Sequence, residues 1–275
     1  MSLWVKTEYG REKTGRTGIM FAGTSVPQLE RKILKMFDAV LYGRDHAYHT
    51  YLVKKDKKTY PVLFNILGAP AAVDALSVLH AGGCRNVIFI GYAYGGFRNL
   101  EVGSVVVPTK AYHFEGIFHP MKIDKEVSFP DKDLNKRLKQ VLGKAGIDFL
   151  EGINISVPAV TLQPKHKNKD YERIKPLTLE MEYAAVLSRA REIGIRVAGL
   201  MIISDNKEAG LDDDEKRKIR RNKKQIIAAN IIKSINQLNL KPLKHSDKFS
   251  IDQYLAEVIE TDDKAPNVYR KHLKK

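Results

Sequence analysis

The residues able to do chemistry in this chain gather where strands end. The apolar run RVAGLMIIS (196–204) closes on Ser204 and leads straight into Asp205 and Asn206. A carboxyl at the exit of a buried strand can act as a general acid if dry surroundings raise its pKa. It can equally cap the turn that follows. Glu180-Met181-Glu182 stands at the head of a helical segment that returns to the same strand. Acids are favoured there by the helix dipole, and a methionine between them suits apolar filling. A structural role therefore accounts for this triplet as well as a ligand-binding one. Two glycine-bearing turns complete the set, Leu67-Gly68-Ala69-Pro70 and Gly91-Tyr92-Ala93-Tyr94-Gly95-Gly96. Each follows a strand, and such turns can present backbone N–H groups to an anion.

The pattern of the chain predicts the elements that must hold these residues. GIMFAG (18–23), NVIFIG (86–91), GSVVVP (103–108, ended by Pro108) and RVAGLMIIS are short and apolar on both faces, as buried strands are. Leu29, Ile33, Leu34, Phe37, Val40 and Leu41 recur at helical spacing and predict a helix over 27–41. Residues 50–68 read as a hairpin with a lysine-rich turn. Pro70 opens a helix that Gly82-Gly83 stops. Further helices are expected over 131–144 and 181–192, with an extended segment over 152–162 between them. Asp212 is placed to cap a last helix with an apolar stripe of Ile219, Ile226, Ile227, Ile231, Ile235 and Leu238. Strands alternating with helices predict an α/β fold, a single domain with a mixed, twisted central sheet flanked by helices. That domain is assigned to residues 1–240, and 241–275 to a C-terminal extension containing an amphipathic piece, Ile251 to Ile259.

Bulk properties narrow the class. The chain has 275 residues, 43% hydrophobic, enough for a full core without disulfides. Its one cysteine, Cys84, cannot form an internal bridge, and no activating base stands beside it in sequence. That usage, with no signal-peptide-like start and no apolar run of bilayer length, predicts a cytoplasmic protein without a membrane partner. The net charge of +15 could attract anions or nucleic acid. No nucleic-acid-binding motif accompanies it. The densest run, KRKIRRNKK (216–224), follows DDDE (212–215) and reads as a solvated helix face with acids at its start. The charged segment 165–172 reads as a loop.

Taken together, these segments resemble the nucleoside phosphorylase family, which includes bacterial purine nucleoside phosphorylase, uridine phosphorylase and the methylthioadenosine nucleosidases. LGAPAAVDAL (67–76), IGYAYGG (90–96), EVGSVVVPTKAYHFEG (101–116), LEMEYAAV (179–186) and GLMIISDN (199–206) are similar to family segments in order and spacing. The resemblance covers about residues 18–238. It implies cleavage of the N-glycosidic bond of a nucleoside, with phosphate as co-substrate and no metal or organic cofactor. It implies that Asp205 is the general acid at a purine ring nitrogen, beside Ser204. It also implies that Glu182 and Met181 meet the ribose, with Glu180 among the substrate-binding residues. Gln163 lies in the loop with which pyrimidine-specific members hold the base, which keeps uridine as the alternative to a purine nucleoside. A homo-oligomer is implied, a dimer or trimer of dimers, in which a neighbour completes the pocket.

The resemblance breaks at the anion site. The family's strand arginine is replaced by Phe89, its hydroxyl residue by Tyr92, and its next glycine by Tyr94. The N-terminal turn reads Gly23-Thr24-Ser25-Val26-Pro27, with no arginine before Arg31 and no glutamate of the nucleosidase kind before Glu30, which reads as solvated. Gly23 and Gly91 are the residues left for phosphate, with Arg44, six residues before Thr50, as the counterpart of the family's cross-subunit arginine. Val160 or Thr161 stands where an aromatic often stacks on the base, and His46 and His49 flank a candidate subunit-contact loop. His113 and His119 read as ordinary strand-end residues. Phosphorolysis is the leading reading. A water-using nucleosidase, a non-catalytic nucleoside binder and a basic RNA-associated scaffold are its rivals.

Overall fold

A computed structural model describes residues 3–45, 47–114, 116, 126–162 and 169–243. One sheet organises them. Strands β1 (Thr17–Ala22), β2 (Ala39–Asp45), β3 (His49–Lys55), β4 (Lys58–Ile66), β5 (Asn86–Gly95) and β6 (Val105–His113) are joined by β7 (Val127–Ser128), β8 (Leu150–Ser156), β9 (Thr178–Glu180) and β10 (Arg196–Asp205). Their order is β10-β6-β8-β9-β5-β1-β4-β3-β2, and β10 also pairs in parallel with β5. The segment β5-β10-β6-β8-β9 therefore closes on itself, while β1, β4, β3 and β2 extend as an open wing. The fold class expected from the alternation of strands and helices is the one observed: mixed α/β, with helices on both faces.

Alternation along β5 shows how the faces divide. Val87, Phe89 and Ala93 face one core with helices α3 (Gly68–Ala81) and α6 (Tyr183–Ile193). Ile88 and Ile90 face the other, with α4 (Lys132–Lys144) and α7 (Asp214–Lys233). Helix α1 (Leu3–Tyr9) covers the first core near the wing, and α2 (Pro27–Leu34) packs beside α7. Gly194, at φ +73°, ends α6 in the left-handed conformation that glycine adopts without strain and feeds the chain into β10.

Several local expectations are corrected. The helix from Pro27 stops at Leu34, and Ala39–Asp45 is instead a strand paired antiparallel with β3. Phe37 still reaches the core, which is why helical spacing persisted across the break. The hairpin stands, with Asp56 and Lys57 both at positive φ in its two-residue turn. Pro108 does not end β6; the register shifts between Pro108 and Lys110, the kind of irregularity that tolerates a missing N–H. The extended segment 152–162 ends at Ser156, and Val160–Leu162 is a 3₁₀ turn. The charged loop runs into a short helix, α5 (Lys169–Ile174), that buries Tyr171. The cap of α7 is Asp213, whose carboxylate accepts from the Lys216 N–H at 2.9 Å, rather than Asp212. Gln163, His46, His119 and the piece 251–259 lie outside the described residues, as does nearly all of the C-terminal extension.

Candidate active site

A cavity of about 370 Å³ opens where β1, β5, β9 and β10 end. Gly23, Thr24, Leu67, Tyr92, Tyr94, Val160, Met181, Glu182, Ser204 and Asp205 line it, with Arg217, Arg220 and Arg221 from α7. It therefore joins the strand exits singled out in the sequence. Glu180, Met181, Glu182, Ser204, Asp205 and Gly23 all border it.

The two glutamates differ sharply in their partners. Glu180 ends β9, and its carboxylate accepts from Asn154 Nδ2 at 2.7 Å and from the Ser156 hydroxyl. It also accepts from the backbone N–H groups of Glu182 and Tyr183, each at 2.7 Å. Those two donors belong to the start of α6, where N–H groups lack helical partners. Glu180 is thus fully occupied in fixing β8, β9 and α6 together, a structural duty where substrate contact was expected. Glu182 is 4% exposed and has fewer bonds. It accepts from the Gly68 N–H at 2.6 Å and from the Met181 N–H at 3.3 Å. Burial, reinforced by the Glu180 charge, pushes its pKa up to about 8. The Gly68 turn, at φ +79°, therefore gives its N–H to Glu182 rather than to an anionic ligand.

Asp205 stands at the last residue of β10. Burial raises its pKa; the Ser204 hydroxyl bonded to its Oδ1 and the nearby Arg220 oppose the rise. Ser204 Oγ also lies 3.2 Å from the Ala93 carbonyl. Arg220 is buried and donates to the carbonyls of Ser204 and Leu211, both at 2.8 Å. It ties the loop after Asp205 back to the strand that carries it.

Within one chain the expected anion residues are not assembled. Gly23 has φ +84° and borders the cavity, but its N–H donates to Ile66 O at 2.9 Å, and the Ser25 N–H donates to Asn65 Oδ1 at 3.2 Å. Gly91 lies inside β5 and does not line the cavity. A Cβ there would sit 2.9 Å from the Phe89 ring and 3.0 Å from Met201 Sδ, so glycine answers a packing need. Arg44, expected as a cross-subunit arginine, lies on the wing and donates within its own chain to Glu8 Oε1 at 3.3 Å and Thr7 O at 3.2 Å. Phe89 is fully buried against Tyr183, with ring centroids 5.0 Å apart, and faces the core rather than the site.

What the sequence reading missed is the inward face of α7. Ile219 and Ile226 of the expected stripe are exposed. Arg220 and Lys224 are buried in line with Ile227, Ala228 and Ile231. Lys224 Nζ donates to Ala22 O at 3.1 Å and sits 4.1 Å from the Tyr92 ring centroid. Burial pushes its pKa down to about 7, against a weaker upward pull from Glu182 and Glu30. Glu30 is buried too, not solvated, with both carboxylate oxygens near His49 Nδ1, at 2.9 and 3.1 Å. His113, also buried, pairs through Nε2 with the hydroxyls of Ser128 and Ser188. Burial raises the Cys84 thiol to about 12 and leaves it unreactive. Among the described residues no cluster able to hold a metal occurs, and no helix is long and apolar enough to cross a membrane.

Comparison with known proteins agrees with this architecture. The chain is 25% identical over 176 residues to the guanosine phosphorylase of Halorubrum lacusprofundi, spanning 63% of this chain and 72% of that one. The 5'-methylthioadenosine/S-adenosyl homocysteine nucleosidase of Campylobacter jejuni superposes with a TM-score of 0.69 at 18% identity, over 81% of this chain and 99% of the other. A futalosine hydrolase mutant from Helicobacter pylori gives 0.66 at 17%, over 82% and 100%. At such identities these two structures establish the shared fold. The model of the phosphorylase superfamily matches residues 19–235, which contain the whole cavity lining and, among the described residues, every strand except the first two residues of β1, and the chain belongs to that superfamily.

Proposed function

We propose that the protein cleaves the N-glycosidic bond of a purine nucleoside by phosphorolysis, releasing the base and a pentose 1-phosphate. The observation that carries this reading is the charge of the cavity wall. Arg217, Arg220 and Arg221 line it, while its carboxylates are either held by donors or favoured in their protonated form. Glu180 is saturated by hydrogen bonds, and the pKa values of Glu182 and Asp205 are raised. A wall of cations and protonatable acids suits an anionic nucleophile and a leaving group that needs a proton.

Asp205 is the general acid. Bond cleavage leaves negative charge on the departing base, and a carboxyl with a raised pKa donates a proton to a purine ring nitrogen as that charge develops. Glu182 binds the ribose hydroxyls, with Met181 against the sugar face. Purine is favoured because Asp205 offers this proton, and the likeness to a guanosine phosphorylase supports the same choice. A hydrolytic second reading has one observation in its favour: Glu182, poised near pH 8, is able to take a proton from water at mildly alkaline pH. The test is base release from guanosine, inosine, adenosine, uridine and methylthioadenosine with and without phosphate. Phosphate-dependent release from purine nucleosides is expected. Release indifferent to phosphate would establish the hydrolytic reading, and no release from a folded protein would overturn both.

A further inference from the structure

A second cavity of about 270 Å³ lies between α2 and α7. It shares Val26, Leu29, Arg217 and Arg221 with the main cavity, so the two are contiguous. Four cations line it, Lys32, Arg217, Lys218 and Arg221, against one acid, Asp214. Asp214 is taken by Arg217 at 2.8 Å and is otherwise open to solvent. Among the described residues, no carboxylate closes an ion pair with Lys32, Lys218 or Arg221. Arg217 and Arg221 are an i,i+4 pair of like charge, an arrangement that weakens a helix unless an anion lies against it.

The backbone adds to this field. Val26, the residue before α2, gives no side-chain cap, and Asp214 opens α7, so the cleft borders the positive ends of two helices. Gln28, Asn222 and Gln225 supply neutral donors around the cations. Meanwhile the N–H groups of Gly23, Ser25 and Gly68, which would bind an anion at the strand ends, already have acceptors within the chain.

We propose that this cleft is a phosphate site, reached from the main cavity past Arg217 and Arg221. It takes either free phosphate or a phosphoryl group carried by the nucleoside itself. Fork-shaped guanidinium groups and lysines around neutral amides fit a tetrahedral dianion. The assignment rests on the nucleoside-cleaving reading only for what occupies the neighbouring cavity.

Calorimetric titration of the full chain with guanosine, guanosine 5'-monophosphate and inorganic phosphate tests it. The wild type is compared with Lys32→Gln/Lys218→Gln and with Arg221→Gln. The two lysines are exposed, so the double variant should keep the fold. If free phosphate is the occupant, it binds the wild type and weakens at least about 10-fold in both variants, with guanosine affinity unchanged in the lysine double variant, whose residues do not line the main cavity. If the phosphoryl group is carried by the substrate, the monophosphate binds at least about 10-fold more tightly than guanosine, and the variants erase that advantage. A site that prefers neither phosphate form, or a preference untouched by both variants, would overturn the proposal. Failure of guanosine itself to bind would sink the nucleoside reading, while the phosphate titration still judges the cleft.

Discussion

The two walls of the main cavity handle charge in opposite ways. The wall formed by β9, β10 and the start of α6 carries three carboxyls, and the protein either saturates them with donors, as at Glu180, or drives them towards their neutral form, as at Glu182 and Asp205. The wall formed by α7 carries cations. Arg220 holds two carbonyls, Arg217 and Arg221 remain on the open side, and Lys224, buried against Tyr92 and not itself lining the cavity, is pushed towards its neutral form. On the proposed reading, one wall gives protons and the other receives an anion. The contrast teaches that the positive charge of this cavity stands on a helix while its carboxyls stand at strand ends and at the start of another helix.

The largest effect should come from the acid wall. Asp205→Asn removes the proton donor but little volume, and base release should fall by about 10²- to 10⁴-fold with the fold intact. Steady-state kinetics beside a circular dichroism melt would separate the two; a loss under tenfold would deny Asp205 its role. Next comes Lys224. Its unfolded-state pKa lies near 10.4 and its folded pKa near 7, so the unfolded chain binds more protons between those values. Its contribution to stability therefore rises with pH across that window, by on the order of a few kcal/mol. Lys224→Met should flatten that rise in urea melts taken from pH 6.5 to 10.

Glu182 should do the reverse. Its pKa is near 4.3 unfolded and about 8 folded, so the native state holds the extra proton, and its contribution falls as pH climbs through that range. Glu182→Gln should lessen the decline between pH 5 and 9 while weakening ribose binding, seen as a raised KM. Parallel pH slopes in the Lys224 and Glu182 variants would erase the distinction between the walls. The smallest effect is expected at Asp213, the cap that starts the cationic helix. Asp213→Ala should cost about 1 kcal/mol in a denaturant melt and leave the acid wall untouched.

Much of the acid wall was legible in the sequence, because a strand exit can be recognised from an apolar run that stops at a carboxyl. RVAGLMIIS ending in Ser204 and Asp205 is such a run, and the β10 strand closes where it predicts. The cationic wall was hidden by composition. KRKIRRNKK has the look of a solvated face, and the expected apolar stripe holds at Ile227, Ile231, Ile235 and Leu238 but not at Ile219 and Ile226, which are exposed. A signal was present: Arg220, Lys224, Ile227 or Ala228, and Ile231 recur at helical spacing, so the buried stripe continues into two cations. The carbonyls of Ser204, Leu211 and Ala22 and the Tyr92 and Phe21 rings make that burial tolerable, and all of them come from outside the helix. Phe89 taught a similar lesson, since strand alternation aims it into the core regardless of what its position holds in relatives.

The most direct measurement is phosphorus NMR of a reaction containing guanosine, inorganic phosphate and the wild-type protein, beside the same mixture with Asp205→Asn. Expected is a new phosphomonoester resonance, a pentose 1-phosphate, growing in step with free guanine in the wild type and nearly absent in the variant. Guanine released while the phosphate signal stays unchanged, or no guanine from the folded wild type, would contradict phosphorolysis at this cavity.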